Sequence, residues 1–105
     1  MGPVAARQLT GAQRPRICWI PRALSTAQGS DAVELAASAG LMLDDWQGWT
    51  LTQSMGTAAG GLWSNFEVGL LVCRQVGKNA ILEARELAGL FLLDESLLIH
   101  TAHEF

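Results

Sequence analysis

Two apolar runs on either side of an amphipathic helix constrain the fold of this chain more than any other feature. Residues 66–72 (FEVGLLV) are almost continuously apolar, which is typical of a strand buried on both faces. Residues 97–100 form a second, shorter apolar run. The predicted helix between them, residues 78–93, carries an apolar stripe at Ile81, Ala84, Ala88 and Phe91. Strand, crossover helix and strand in this order predict a parallel, right-handed βαβ unit, and hence an α/β fold.

Two further helices are expected before this unit. Residues 31–40 (DAVELAASAG) predict the first, with Gly40 placed to end it. Residues 44–55 predict the second, with Asp44 as its N-cap. The glycine-rich residues 56–61 (GTAAGG) indicate a loop between this helix and the first strand.

A two-stranded parallel pair is an incomplete sheet, because parallel sheets normally have further strands and helices on both faces. We therefore expect residues 31–105 to be the opening part of a larger α/β domain. Residues 1–30, which are rich in arginine and proline, are expected to form an irregular leader.

Composition excludes several classes of protein. A chain of 105 residues, half of them apolar, is one small domain and is not intrinsically disordered. Its apolar runs are too short to span a membrane, and no secretory segment follows Met1. The net charge is −3, with all ten acidic residues after position 30, so the body lacks the basic patch of a nucleic-acid-binding domain. Cys18 and Cys73 lie too far apart for a metal-ligand pair and indicate a reduced, cytosolic protein.

The loop after the first predicted strand, residues 72–79 (VCRQVGKN), carries the clearest chemical signal. Between a buried strand and a helix, backbone N–H groups can surround a phosphate, and Lys78 can reach its terminal oxygens. The phosphate-loop pattern G-x-x-x-x-G-K-[ST] is not met, because Val72 replaces the first glycine and Asn79 the hydroxyl residue. From these residues alone, an ordinary strand–helix turn with an exposed lysine is the favoured interpretation.

Several longer stretches around this loop resemble a known protein family. RQVGKN continues into AILEARELAGLFLL, is preceded by FEVGLLV and is followed by LLIHTAHEF. Together with PRICWIP, DAVELAASAG and LMLDDWQGW, these stretches resemble the start of the ATPase domain of tailed-phage large terminase subunits, most closely those of phages infecting actinobacteria. The resemblance runs from Pro15 to Phe105. It implies an incomplete P-loop NTPase domain, with two N-terminal helices, a βαβ unit and the start of a parallel sheet.

The resemblance also implies a nucleotide site and its cofactors, ATP and Mg²⁺. The implied phosphate-loop residues are Arg74, Gln75, Val76, Gly77, Lys78 and Asn79, and the implied adenine-side residues are Trp46 and Gln47. Asn79 has no hydroxyl for the metal, although its amide oxygen can hold Mg²⁺ through a water molecule. Without the resemblance, Trp46 is better interpreted as a core residue of an amphipathic helix.

The family's strand-terminal Asp-Glu pair (Walker B) and its nuclease domain are missing, so the chain is expected to be a fragment that is inactive alone. The intact protein would be an ATP-driven, homo-oligomeric motor and endonuclease in the host cytoplasm. It would pack viral duplex DNA and contact the portal protein and the small terminase subunit. The alternative is a non-catalytic small α/β protein, or an inert gene remnant, that binds no nucleotide.

Other candidate residues receive plainer interpretations. His100, His103 and Glu104 do not have the spacing of known zinc motifs, so no metal site is predicted. Cys73 lacks a base to activate it and is interpreted as a small apolar residue. Three charged residues of the last helix are expected on its solvated face: Glu83, Arg85 and Glu86.

Overall fold

The computed structural model describes residues 12–72 and 77–100 of the chain. Over these residues the chain forms three α-helices, α1 (Ala27–Ser38), α2 (Asp45–Ser54) and α3 (Lys78–Phe91), with a 3-10 turn at Ala59–Gly61. Each helix packs against the other two. The helices therefore enclose a single core between them.

Helix α1 begins at Ala27, four residues earlier than its sequence pattern predicts. The Ser25 hydroxyl accepts a hydrogen bond from the Ala27 N–H (3.1 Å), which supports the earlier start. Gly40 ends the helix as predicted. It adopts φ +91°, and the N–H groups of Gly40 and Leu41 donate to the carbonyls of the last helical turn (3.0 and 2.8 Å). This is a Schellman arrangement, which needs a left-handed residue and so favours glycine.

Helices α2 and α3 lie close to their predicted positions. Asp44 is the N-cap of α2 and forms a capping box with Gln47. Helix α3 starts at Lys78 as expected but ends at Phe91, and the chain turns away at Asp94 with φ +52°. The prediction that Phe91 belongs to the buried stripe is wrong. As the last helical residue, it extends beyond the packed turns and is 71% exposed.

The core is small and rich in alanine. Its buried apolar residues are Ala32, Ala36, Leu51, Met55, Ile81, Ala84 and Ala88. Small side chains allow close helix packing, and α1 approaches α2 so closely that a Cβ at Gly29 would collide with the backbone of Thr52. Partly buried residues complete the core at its edges: Val33, Leu41, Leu43, Trp46 and Leu93.

The predicted α/β fold is wrong for the described part of the chain, which contains helices but no strand and no sheet. Residues 66–72 and 97–100, the two predicted strands, are irregular there and make no backbone–backbone hydrogen bonds. Only isolated bridges occur, linking Thr57 to Ser25 and to Trp63. A strand needs a neighbouring strand for its backbone hydrogen bonds, and these two runs do not pair with each other. Residues 12–72 and 77–100 therefore contain neither a βαβ unit nor a P-loop NTPase sheet.

Part of the predicted leader docks on the helices. Arg14 forms an ion pair with Asp45 (3.0 Å), and its guanidinium lies 5.0 Å from the centre of the Trp49 ring. The Leu24 N–H donates to the carbonyl of Thr57 (2.8 Å). Because α1 begins at Ala27, the helical part of the chain extends into the predicted leader.

Candidate nucleotide-phosphate site

The start of α3 holds the predicted Gly-Lys pair. Gly77 is the N-cap residue and adopts a left-handed conformation (φ +92°), while Lys78 and Asn79 are the first two helical residues and are exposed. Gly77 has no side chain to accept hydrogen bonds from the first-turn N–H groups, and no side-chain cap is formed. The Ala80 N–H donates to the Gly77 carbonyl (3.2 Å), so within the described residues the N–H groups of Lys78 and Asn79 are the ones left for water or for another acceptor.

Gln47 joins this helix start to α2. It is the one buried polar side chain among the described residues, at 6% exposure. Its Nε2 donates to the carbonyl oxygen of Gly77 (2.7 Å), and its Oε1 accepts from the N–H of Asp44 (2.7 Å). The structure thus brings together a residue of the predicted adenine-side element and a residue of the predicted phosphate loop, 30 positions apart.

Gly77 is also the residue that this contact requires. A Cβ at position 77 would lie 2.7 Å from Nε2 of Gln47, and positive φ is itself unfavourable for other residues. Glycine at this position therefore lets the Gln47 carboxamide approach the backbone and lets the chain turn into α3.

Trp46 is placed differently from its neighbour. Its side chain is half-buried and packs against the edge of the core, and its backbone N–H donates to Oε1 of Gln13 (3.2 Å). Trp46 thus lies at the edge of the core and is not fully buried. Stacking on adenine stays a prediction.

Several of the predicted loop residues lie outside the described residues: Arg74, Gln75 and Val76, together with Cys73. Of those that are described, Lys78 has no salt-bridge partner within residues 12–72 and 77–100. Its ammonium group is therefore available to an anion. A helix N-terminus also carries partial positive charge. The backbone N–H groups at the start of α3 and the Lys78 ammonium can therefore bind a phosphate by hydrogen bonds and charge attraction.

A metal-holding group is not assembled in the described part of the molecule. No cluster of three His, Cys, Asp or Glu side chains lies within binding distance of a common ion there. Asn79 is exposed at the second position of α3, and the described residues supply no carboxylate set beside it. Among the described residues, the start of α3 therefore offers donors for a phosphate anion but no group of protein ligands for a metal ion.

Helix α3 carries an ion pair at Arg85 and a histidine–carboxylate contact at Glu86 that sequence reasoning missed. Arg85 donates to both carboxylate oxygens of Glu95 (2.8 and 2.9 Å) and lies over the Trp63 ring, 5.3 Å from its centre. Nδ1 of His100 lies 2.8 Å from a carboxylate oxygen of Glu86. The prediction that Arg85 and Glu86 are simply solvated is therefore wrong. The partner residues, Glu95 and His100, lie in the chain after α3. No local sequence pattern predicts that this segment contacts the helix.

The Arg85–Glu95 pair has an electrostatic consequence. Hydrogen bonds from the Arg85 guanidinium, opposed by partial desolvation and reinforced by its charge, hold the pKa of Glu95 below its usual value. His103 and Glu104, which the sequence analysis considered together with His100 as metal ligands, lie outside the described residues.

No helix in the described part of the chain has both the length and the apolar character needed to cross a bilayer. No protein-family model, no curated protein and no solved structure matches the chain.

Proposed function

We propose that this chain binds the phosphates of ATP at the N-terminus of α3, as the N-terminal part of a terminase large subunit. The support comes from the sequence resemblance over residues 15–105 and from the placement of its implied residues. In the intact protein, ATP hydrolysis would drive viral duplex DNA into the capsid. The portal protein and the small terminase subunit are the proposed partners, and the motor is proposed to be homo-oligomeric in the host cytoplasm.

The hydrogen bond between Gln47 and Gly77 is the observation that carries this proposal. Two short stretches resemble nucleotide-binding elements of one family, and they are in direct contact although 30 residues separate them. The packing of α2 against α3 places the Trp-Gln element beside the helix start that carries Lys78. The contact also fixes the Gly77 carbonyl, so that the first turn of α3 is held in one orientation.

The chemistry at this helix start suits an anion. The first-turn N–H groups have no side-chain cap, Gly77 allows close approach to the backbone, and Lys78 adds a full positive charge. A triphosphate presents several negative oxygens, so its terminal groups would be held by Lys78 and its bridging region by the backbone.

Hydrolysis is not part of what the described residues can do. Turnover needs a carboxylate to orient water and a metal to bridge the β- and γ-phosphates, and the described part of the chain assembles neither. We expect binding without turnover.

A second candidate function is that of a non-catalytic helical domain that binds no nucleotide. One observation favours it: residues 66–72, which would form the strand leading into a phosphate loop, are unpaired in the described structure. In that case Gly77 is only the N-cap of α3. Nucleotide titration separates the two candidates.

The experiment is titration of the full chain with ATP by calorimetry, with and without Mg²⁺. Lys78→Ala should weaken binding by roughly 10- to 150-fold, because a hydrogen bond to a charged group contributes about 1.5–3 kcal/mol. Glu83→Ala is the matched control, since Glu83 is exposed on the same helix beyond its first turn. Absence of saturable binding, or equal effects of the two changes, would contradict the proposal.

A further inference from the structure

Both hydrogen-bonding ends of the Gln47 carboxamide are used inside the protein. Its Nε2 donates to the carbonyl oxygen of Gly77, and its Oε1 accepts from the N–H of Asp44, both at 2.7 Å. Gln47 is buried, so a bound molecule would contact little of it. Turning this carboxamide toward a nucleotide base would break both bonds and leave buried polar groups unpaired, which is costly.

The bond to Gly77 acts on one peptide unit at the start of α3. The carbonyl oxygen of Gly77 accepts from Nε2 of Gln47 and, at 3.2 Å, from the N–H of Ala80. This carbonyl and the N–H of Lys78 belong to the same planar peptide group. Two donors that fix the carbonyl therefore also fix the direction of the Lys78 N–H. They polarise the peptide as well, which makes that N–H a stronger donor.

We propose that Gln47 is a positioning residue for the phosphate site and does not recognise the base. The ligand class would then be nucleoside triphosphates in general, together with inorganic triphosphate. This inference rests on the proposed function. The sequence resemblance implies an adenine-side role for Gln47, whereas its carboxamide contacts the residue that directly precedes Lys78.

The other implied adenine-side residue, Trp46, adds no preference through its backbone. Its N–H is already bonded to Oε1 of Gln13 (3.2 Å). Its half-buried ring can contribute stacking, but stacking tolerates every base because each base has a π face. Stacking on Trp46 would therefore not distinguish adenine from guanine.

A comparison of ligands on the unaltered full chain tests the ligand class. Calorimetric titration with ATP and GTP should give dissociation constants within about 3-fold of each other, because stacking is tolerant of base identity. Inorganic triphosphate should compete with ATP for the site. A site that hydrogen-bonds one base edge would instead prefer that base by about 10-fold or more.

The variant Gln47→Glu tests the positioning role. Its carboxylate keeps an oxygen for the Asp44 N–H but has no hydrogen to donate to Gly77. Binding of ATP, GTP and inorganic triphosphate should each weaken by one common factor, about 5- to 30-fold, because the same hydrogen bond is lost in all three complexes. Gln53→Glu adds the same charge at the other end of α2 and is the matched control.

The pH profile of the variant separates positioning from a merely structural role. A protonated glutamate can donate to the Gly77 carbonyl, so the variant should approach the affinity of the wild type, measured at the same pH, as the pH falls. Circular dichroism checks that the variant keeps its helices, and the ligand comparison on the wild type does not need the variant.

Three results would overturn the inference while leaving the proposed function in place. They are a preference for ATP over GTP above about 10-fold, failure of inorganic triphosphate to compete, and equal losses of binding in Gln47→Glu and Gln53→Glu. Absence of binding by all three ligands would overturn the proposed function and this inference together.

Discussion

The helical body and the segment at residues 66–72 are both rich in apolar side chains, yet their burial is opposite. Leu51 on α2 and Met55, directly after that helix, are at most 1% exposed, whereas Phe66 and Leu71 are fully exposed. The difference lies in the backbone. Helices satisfy their N–H and C=O groups within their own segment, so α1, α2 and α3 can pack their apolar faces together without leaving backbone groups unpaired. A strand depends on another strand, and apolar side chains alone do not supply one.

This comparison predicts that truncation of an apolar side chain has very different effects in the two kinds of region. Leu51→Ala should lower the free energy of unfolding by about 2–5 kcal/mol, because it removes a fully buried side chain from a small core. The matched change Leu97→Ala, at a residue that is 72% exposed, should stay within about 0.5 kcal/mol. Urea unfolding followed by circular dichroism measures both. Similar losses would mean that the apolar segments are part of the core.

Close helix packing sharpens the comparison further. Gly29→Ala should destabilise the body by about 1–3 kcal/mol, since the added methyl group would collide with the Thr52 backbone and force α1 away from α2. Gly48→Ala makes the same chemical change on α2, where the new methyl would lie 3.9 Å from a Val33 methyl. There it should stabilise by about 0.5–1 kcal/mol, through helix propensity. Opposite signs in thermal melts are expected; stabilisation by both changes would show that the two helices are not closely packed.

The smallest expected effect concerns the chain segment that follows α3. Because the pKa of folded Glu95 lies below its usual value of 4.5, the unfolded chain takes up the proton first as the pH falls. The contribution of the Arg85–Glu95 pair is therefore complete above about pH 4.5 and is lost as the pH falls through the folded pKa.

Glu95→Gln should remove this pH dependence and cost about 1 kcal/mol or less at neutral pH. The difference between wild type and variant should disappear in acid. Glu83→Gln, at an exposed position of α3, is the control. A difference that persists unchanged to acidic pH would show that the pair does not tie the segment to the helix.

The sequence predicted the helices well because their signals are local. Gly40 ends α1 through its own backbone conformation, and Asp44 caps α2 within a single turn. Apolar spacing in α3 identified Ile81, Ala84 and Ala88 as buried. Each of these features needs only residues a few positions away.

The strands were predicted wrongly because an apolar composition does not ensure that a neighbouring strand is present to pair with. FEVGLLV has the apolar content of a buried strand, but no described residue pairs with it. For the candidate site, the Gly-Lys turn and Trp-Gln element were found in the sequence, while the contact between Gln47 and Gly77 was not. That contact joins residues 30 positions apart and depends on how α2 packs against α3. The contacts of Arg85 with Glu95 and of Glu86 with His100 were missed for the same reason.

Because the Gln47 carboxamide makes hydrogen bonds at both of its ends, it links the hydrogen exchange of the Asp44 N–H to the packing of α3 against α2. The N–H of Asp44 is held by the same carboxamide whose other end holds the Gly77 carbonyl. Asp44 sits at a helix terminus, where amide hydrogens ordinarily exchange rapidly with solvent deuterium. Here its protection follows the opening of the α2–α3 contact, so this single amide reports whether the start of α3 is in place.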